Sequence, residues 1–360
     1  MAKTTLKSRP FLQPYALASF AALFIALLMA VFPEETLESA LRGLDIWWKV
    51  LFPALFPFFV ISEIMLGFGV VHFFGKLLDP LMRPLFRLPG IGGFVVAMGY
   101  VSGYPVGARL TAQLWEQKLV NRAEGERLVA FTTTSDPIFL IGAVSVGFFH
   151  NAALAPLLAA AHYGGALVIG LLMRFHDRHA PLTGSAAAAH PSAGRRSRLH
   201  EALREMHFAR LEDGRPFGKL LQDAVQSALR LMVVVGGLVV FFSALMELLT
   251  HAGIVAALSE GMRLLFGWAG LPVRLADAII FGGFEVTLGS RAAGEAGTGL
   301  MHQAAAAAWV LSWAGLSVHA QVASLLSRTD LRYKPLLLAR LAHSFIAAAL
   351  VYLLWGWLAP

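Results

Sequence analysis

A glycine-interrupted apolar segment occurs twice in this chain, and the copies lie 182 residues apart. Gly107-Ala108-Arg109 recurs as Gly289-Ser290-Arg291, and Val101-Ser102-Gly103-Tyr104-Pro105 falls on Gly283-Phe284-Glu285-Val286-Thr287. At the same offset Ser135, in Thr133-Thr134-Ser135-Asp136-Pro137, falls on Ser317, in Gly315-Leu316-Ser317-Val318-His319. Each copy therefore joins a Gly-rich apolar stretch, a polar stretch and an apolar helix carrying small hydroxyl residues. In a membrane protein, Gly/Pro-interrupted segments at corresponding places in two halves point to a substrate site.

Composition places the chain in a membrane. Hydrophobic residues make up 57% of it and charged residues 14%, with a mean hydropathy of +0.66. A soluble domain carries about 25% charged residues. The sequence has no cysteine, which removes disulfides, zinc-thiolate sites and thiol nucleophiles. The net charge of +7 gathers in a few loops, without the interleaved aromatics of a nucleic-acid surface.

Span-length apolar runs cover about 15–32, 50–71, 128–149, 152–173, 224–249, 300–326 and 336–357. The first follows Lys3, Lys7 and Arg9 and lacks a small-residue cleavage site, so it reads as an uncleaved span. Residues 33–49 read as a mildly acidic loop. Residues 72–90 and 251–272 read as interfacial amphipathic helices. Residues 91–109 and 275–291 are too rich in glycine for continuous helices and read as re-entrant. Residues 110–127 read as a polar helix. Residues 174–219 carry nine Arg/Lys against five Asp/Glu, with an Ala/Ser/Gly/Pro/His-rich patch at 180–194, and read as a mobile cytoplasmic loop.

The positive-inside rule then sets the topology, with the N-terminus, 174–219 and the Arg328–Lys334 patch all inside. This holds only if both Gly-rich segments re-enter. Each repeat then contributes three spans, and an odd number inverts the second copy. The expected fold is an all-α polytopic integral membrane protein, with about seven transmembrane helices and two re-entrant segments in an inverted repeat.

Candidate site residues follow from that arrangement. Re-entrant backbone at membrane depth must be packed in protein or face a water-filled cavity. Ser102, Gly103 and Gly107 in the first copy and Thr287 in the second line such a segment, or their small side chains only permit close packing. Arg109 and Arg291 end the two segments, either as forks for a substrate carboxylate or as snorkelling arginines. Asp136 and Glu285 are the deepest acids. They couple an ion, or they cap broken helices; Glu285 also counts as a substrate contact. Thr133, Thr134 and Ser135, and in the other repeat Ser317, His319 and Gln321, offer hydrogen bonds to a polar ligand or tie helices together. Glu63 and Glu247 read as partners of cations, and His302 and His343 as interface histidines. No enzyme motif is present, and no metal or cofactor is expected.

Gly99 through Ala108, Phe131 through Phe149, and Thr329 through Pro335 resemble blocks of the sporulation integral membrane protein family, which carries a gate or nucleoside-recognition type of domain. The resemblance extends over nearly the whole chain outside 174–219. It implies four regions: an N-terminal span and loop at 1–49, a first gate-type repeat at 50–173, a basic linker at 174–223 and a second repeat at 224–360. It also implies transport of dipicolinate from the mother cell across the outer forespore membrane. That solute is a small aromatic dianion, suited to half-helix N-termini, arginines and stacking rings. Asp136 stands where this family is expected to hold a small residue. A carrier of nucleosides or other polar solutes is the rival transport reading, and a spore-envelope assembly protein docking through 174–219 is the rival outside transport. The expected partners are a small-molecule substrate and the lipid bilayer, not nucleic acid, and the sequence allows a homo-oligomer.

Overall fold

The computed structural model describes residues 14–183 and 195–359, and the described residues are helical without a strand. Lys3, Lys7 and Arg9 and most of the 180–194 patch lie outside them.

After α1 (Pro14–Val31), one succession of elements runs twice. A long bent rod opens the first run: α2 (Pro33–Ile46), a π-helical turn (Trp47–Leu51) and α3 (Phe52–Gly67), answered by α10 (Phe217–His251). Amphipathic α4 (Val70–Phe86) is answered by α11 (Ile254–Trp268). The pair α5 (Gly92–Ser102) and α6 (Tyr104–Glu116) is answered by α12 (Ala276–Phe284) and α13 (Val286–Glu295). Next comes a broken helix, α7 (Arg122–Thr132) with the π-helix Ile138–Phe148, answered by α14 (Leu300–Trp313) and α15 (Gly315–Leu326). Helix α8 (Ala155–Met173) closes the first run, and α16 (Tyr333–Leu358) the second. Between the runs, α9 (Arg195–Asp213) packs on α4, where Lys76 lies 3.3 Å from Glu201.

The two runs are antiparallel. Ser243 donates to the Ser39 carbonyl, Trp47 Nε1 to the Met232 carbonyl and Ser227 to Glu63, so contacts descend α10 as they ascend α2 and α3. Helices α8 and α16 behave alike: Gly164 faces Leu350, Gly165 faces His343, and Met173 shares a groove with Pro335. Cross-contacts are reciprocal. Helix α6 packs on α15 and α13 on the π-helix, while α16 packs on α7 and α8 on α14. Apolar burial does not drive helices together within lipid, so close packing of small residues must. Ala304 through Ala308 on α14 are accordingly all buried.

Both Gly-rich segments fold back on themselves, as re-entrant segments should. In the second hairpin a Cβ added to Gly289 would stand 2.2 Å from Gly282 Cα, so only hydrogen fits at the crossing. In the first, Gly99 and Gly107 both press on the Thr132 carbonyl.

Three expectations are corrected. Residues 33–49 are not a loop: Pro33 opens a helix, and Ser39 and Gly43 are its buried face against α10. The segment 174–219 is not wholly loop, since α9 covers much of it. The span expected at 128–149 is broken between Thr132 and Ile138, where Pro137 keeps Asp136 out of a continuous helix. Among the described residues four helical stretches suffice by length and composition to cross a membrane: Ala152–Met173, Phe217–His251, Leu300–Leu326 and Tyr333–Leu358. Counting two bent pairs as one span each raises this to six, against the seven expected. The pairs are Ser19–Val31 with Pro33–Lys49, bent by 104°, and Leu55–Gly67 with Val70–Phe86, bent by 81°.

Candidate functional site

All four helix breaks meet at one place. Gly103, at φ +88°, separates α5 from α6, and a Cβ there would lie 3.1 Å from Asp136 Oδ2 in the break after α7. Ala314 and Gly315, at φ +76° and +80°, separate α14 from α15, and Gly315 abuts the Phe284 carbonyl at the break between α12 and α13. Trp313 Nε1 donates to the Gly283 carbonyl at 3.0 Å. The Tyr104 hydroxyl crosses between the repeats to the Leu311 carbonyl at 2.7 Å.

Arg340 lies within this crossing, 1% exposed. Its Nη1 donates to the Thr133 carbonyl, at the end of α7, and Nη2 to the Leu311 carbonyl at 3.4 Å, in the last turn of α14. The guanidinium thus faces two helix C-termini, whose partial negative charge suits a cation. Its planar fork also stands over the Tyr104 ring, at 5.9 Å from the centroid. Among the described residues no carboxylate lies within ion-pair distance of it, and its Nε has no hydrogen-bond partner.

Two histidines complete the junction. The Ser135 N–H can only donate, and it reaches His162 Nε2 at 3.0 Å, so His162 is neutral with its proton on Nδ1. That Nδ1 meets the Ser312 hydroxyl at 2.9 Å. His343 Nε2 donates to the His162 carbonyl at 2.8 Å, and its Nδ1 accepts from Arg340 at 3.1 Å. The two rings stack with centroids 5.1 Å apart. The Tyr163 hydroxyl donates to the Ser135 carbonyl at 3.1 Å, and its ring lies 5.4 Å from that of Tyr100. The hydroxyls of Tyr100 and Ser102 are buried without partners among the described residues. Thr133, Trp313, His319 and Arg340 line a narrow crevice.

The residues singled out in the sequence divide into four groups. Ser102, Gly103, Thr133, Thr134 and Ser135 are at the junction, although Thr133 Oγ1 donates to the Val129 carbonyl and Thr134 Oγ1 to the Gly99 carbonyl. Ser317, His319 and Gln321 are buried on α15; His319 is held between Tyr333 and the Trp313 carbonyl. The acids act as caps. Asp136 Oδ1 accepts from Phe139 N at 2.8 Å, and Glu285 accepts from Leu288 N at 2.8 Å and Thr287 Oγ1 at 3.1 Å. The arginines point elsewhere. Arg109 lies 3.6 Å from Glu63, which also accepts from Gln113 and Ser227, and exposed Arg291 stands over the Phe148 ring. Glu247 pairs with Arg42, so both expected cation partners find one.

Sequence reading missed Arg340, His162 and Tyr104 as the centre. Arg340 lies beyond the Arg328–Lys334 patch, and its signal is a position eight residues into an apolar helix, too deep to snorkel. Also missed was a charged knot at the basic end of the bundle. There α7 buries Glu124, Glu126 and Arg127. Arg127 donates to the carbonyls of Arg87, His176 and Asp177, while Glu126 pairs with His176 at the end of its own repeat and accepts from Arg332 across the two repeats.

The chain is 44% identical over 338 residues to the sporulation integral membrane protein YlbJ of Bacillus subtilis (strain 168), covering 92% of this chain and 81% of that one. It belongs to the sporulation integral membrane protein family. Residues 48–164 match the Gate domain family, described as nucleoside recognition. The match therefore takes in both breaks of the first repeat, together with His162. No solved structure matches. As a family member the chain is a multi-pass integral membrane protein.

Proposed function

We propose that this protein carries a small organic anion across the membrane, with dipicolinate moved from the mother cell through the outer forespore membrane as its sporulation task. The observation that supports this reading is Arg340, a buried cation without a carboxylate partner among the described residues, at the meeting point of four helix breaks. A buried charge is costly unless something compensates it. Two helix C-termini do so in part here, and an anionic solute completes the compensation. The unpartnered hydroxyls of Tyr100 and Ser102 supply further donors. Tyr100, Tyr104 and Tyr163 supply faces for an aromatic ring. Rocking of the antiparallel repeats would widen the narrow crevice beside Arg340 toward either side.

The Gate match supports a second reading, a nucleoside as solute. Both are tested together in liposomes holding purified protein, with dipicolinate and uridine flux followed in parallel. Saturable dipicolinate flux inhibited by other aromatic dicarboxylates is expected. Uridine flux without dipicolinate flux sinks the anion reading.

A further inference from the structure

A groove of about 380 Å³ opens between α8 and α16 at the basic end of the bundle. Its walls are apolar: Ile169, Leu172 and Met173 on α8, and Leu338, Ala339 and Ala342 on α16. Leu172 and Leu338 are more than half exposed, and the stripe continues through Leu341 and Phe345 on the outer face of α16. Lipid covers such a face in a membrane protein. The groove's rim is of a different kind, being formed by His176, Arg332 and Lys334.

We propose that this groove binds one anionic phospholipid, with an acyl chain between α8 and α16 and the phosphate at Arg332 and Lys334. Charge complementarity selects the occupant. Glu126 takes the Nε and Nη2 groups of Arg332, and Asp177 lies 3.7 Å from Nη2, which leaves Nη1 to face an outside acceptor. Lys334 is exposed and has no ion pair among the described residues. Arg174, next to Met173 in sequence, adds a further, half-buried cation at the same end. A guanidinium and an ammonium beside an apolar slot match a phosphate on a hydrocarbon chain. The small side chains of Ala339 and Ala342 keep the slot open on the α16 side. The site is separate from the helix-break junction and stands whether or not the anion-carrier reading holds.

Native mass spectrometry of the purified full chain tests this, with phosphatidylglycerol and phosphatidylcholine of identical acyl chains supplied in equal amounts. One phosphatidylglycerol is expected to stay bound several-fold more often than phosphatidylcholine. Lys334→Gln should lower that preference several-fold, Ala342→Phe should remove retention of the lipid, and Lys49→Gln, far from the groove, should change nothing. Soluble glycerol phosphate should not compete. Lys334 is exposed, so its replacement tests the rim even if Ala342→Phe fails to fold. Equal retention of the two lipids overturns the proposal, as does unchanged phosphatidylglycerol retention in Lys334→Gln.

Discussion

His162 and Arg340 are each the eighth residue of corresponding helices, α8 and α16, and each bridges the helix breaks of both repeats. His162 joins Ser135 N–H in its own repeat to the Ser312 hydroxyl in the other. Arg340 joins the Leu311 carbonyl in its own repeat to the Thr133 carbonyl in the other. The positions are symmetric, while the chemistry is not. A neutral ring occupies one and a fixed cation the other.

That asymmetry makes Arg340 the first residue to change. A hydrogen bond to a charged group contributes about 1.5–3 kcal/mol, or roughly 10- to 100-fold in affinity. Arg340→Lys should keep part of the dipicolinate flux, and Arg340→Gln should lose it by about that factor in the same liposomes. Equal flux in wild type and Arg340→Gln, both folded, would leave Arg340 as a cap for two helix ends and nothing more.

His162 has a different expected phenotype. Replacing it with Phe keeps the ring's bulk but strands the Ser135 N–H and the Ser312 hydroxyl in a buried site. An unsatisfied buried group costs about 1–3 kcal/mol. Detergent-solubilised His162→Phe should melt several degrees below wild type, and a Gln there should recover part of the loss. Unchanged melting of His162→Phe would mean that those groups find other partners.

Much of this organisation was legible in the sequence, because a fixed offset between Gly107 and Gly289 survives any uncertainty about single elements. The offset located both hairpins and the polar run Thr133–Ser135 before any coordinates. The charged residues each carried two readings, and sequence alone does not choose between them. Arg109 and Arg291 mark the repeat, so they looked like ligands, but Glu63 and the Phe148 ring hold them away from the junction. Asp136 and Glu285 could couple ions or cap broken helices, and their hydrogen bonds are those of caps: Glu285 stands immediately before α13 and Asp136 two residues before the π-helix, where a carboxylate takes free N–H groups. Composition cannot show that a helix such as α7, with Arg122, Glu124, Glu126 and Arg127 in its first turns, is buried between two repeats. That follows only from the partners Arg332 and His176, one of them more than 200 residues away.

The hairpin crossing makes a backbone prediction. Gly289→Ala forces a methyl group against Gly282 Cα and the Ala278 carbonyl, neither of which can swing aside. Overpacking of this kind costs about 1–3 kcal/mol. Gly237, on α10, has open space where its Cβ would stand. Gly237→Ala should therefore be neutral or raise stability by up to about 1 kcal/mol, through the helix preference of alanine. The melting temperature of Gly289→Ala should fall while that of Gly237→Ala holds or rises, and an equal fall in both would discredit the tight crossing.

Arg109 offers a test of the carboxylate beside it. With the guanidinium 3.6 Å away, Glu63 also accepts from Ser227 at 2.6 Å and Gln113 at 2.7 Å. Arg109→Ala removes the only cation within ion-pair distance of Glu63 among the described residues. It should lower the melting temperature, and Glu63→Gln in the same chain should restore most of the loss. An additive double variant would show that the pair does not interact.

Glu126 sets the acid limit of the fold. Burial pushes its carboxyl up, but hydrogen bonds from Arg332 and His176 more than offset that and hold it below the usual range. A carboxylate depressed in the folded state contributes stability above its unfolded value, and that stability is lost as pH falls through the folded value. The loss should therefore fall below about pH 4.3, the ordinary range of a glutamate. Glu126→Gln removes the titration and breaks the link between α7 and the segment before α16. It should melt lower than wild type at neutral pH, and the gap should narrow as the pH is taken below that range. A gap that stays constant with pH would mean that the depressed carboxylate is not what ties the two repeats together at this end.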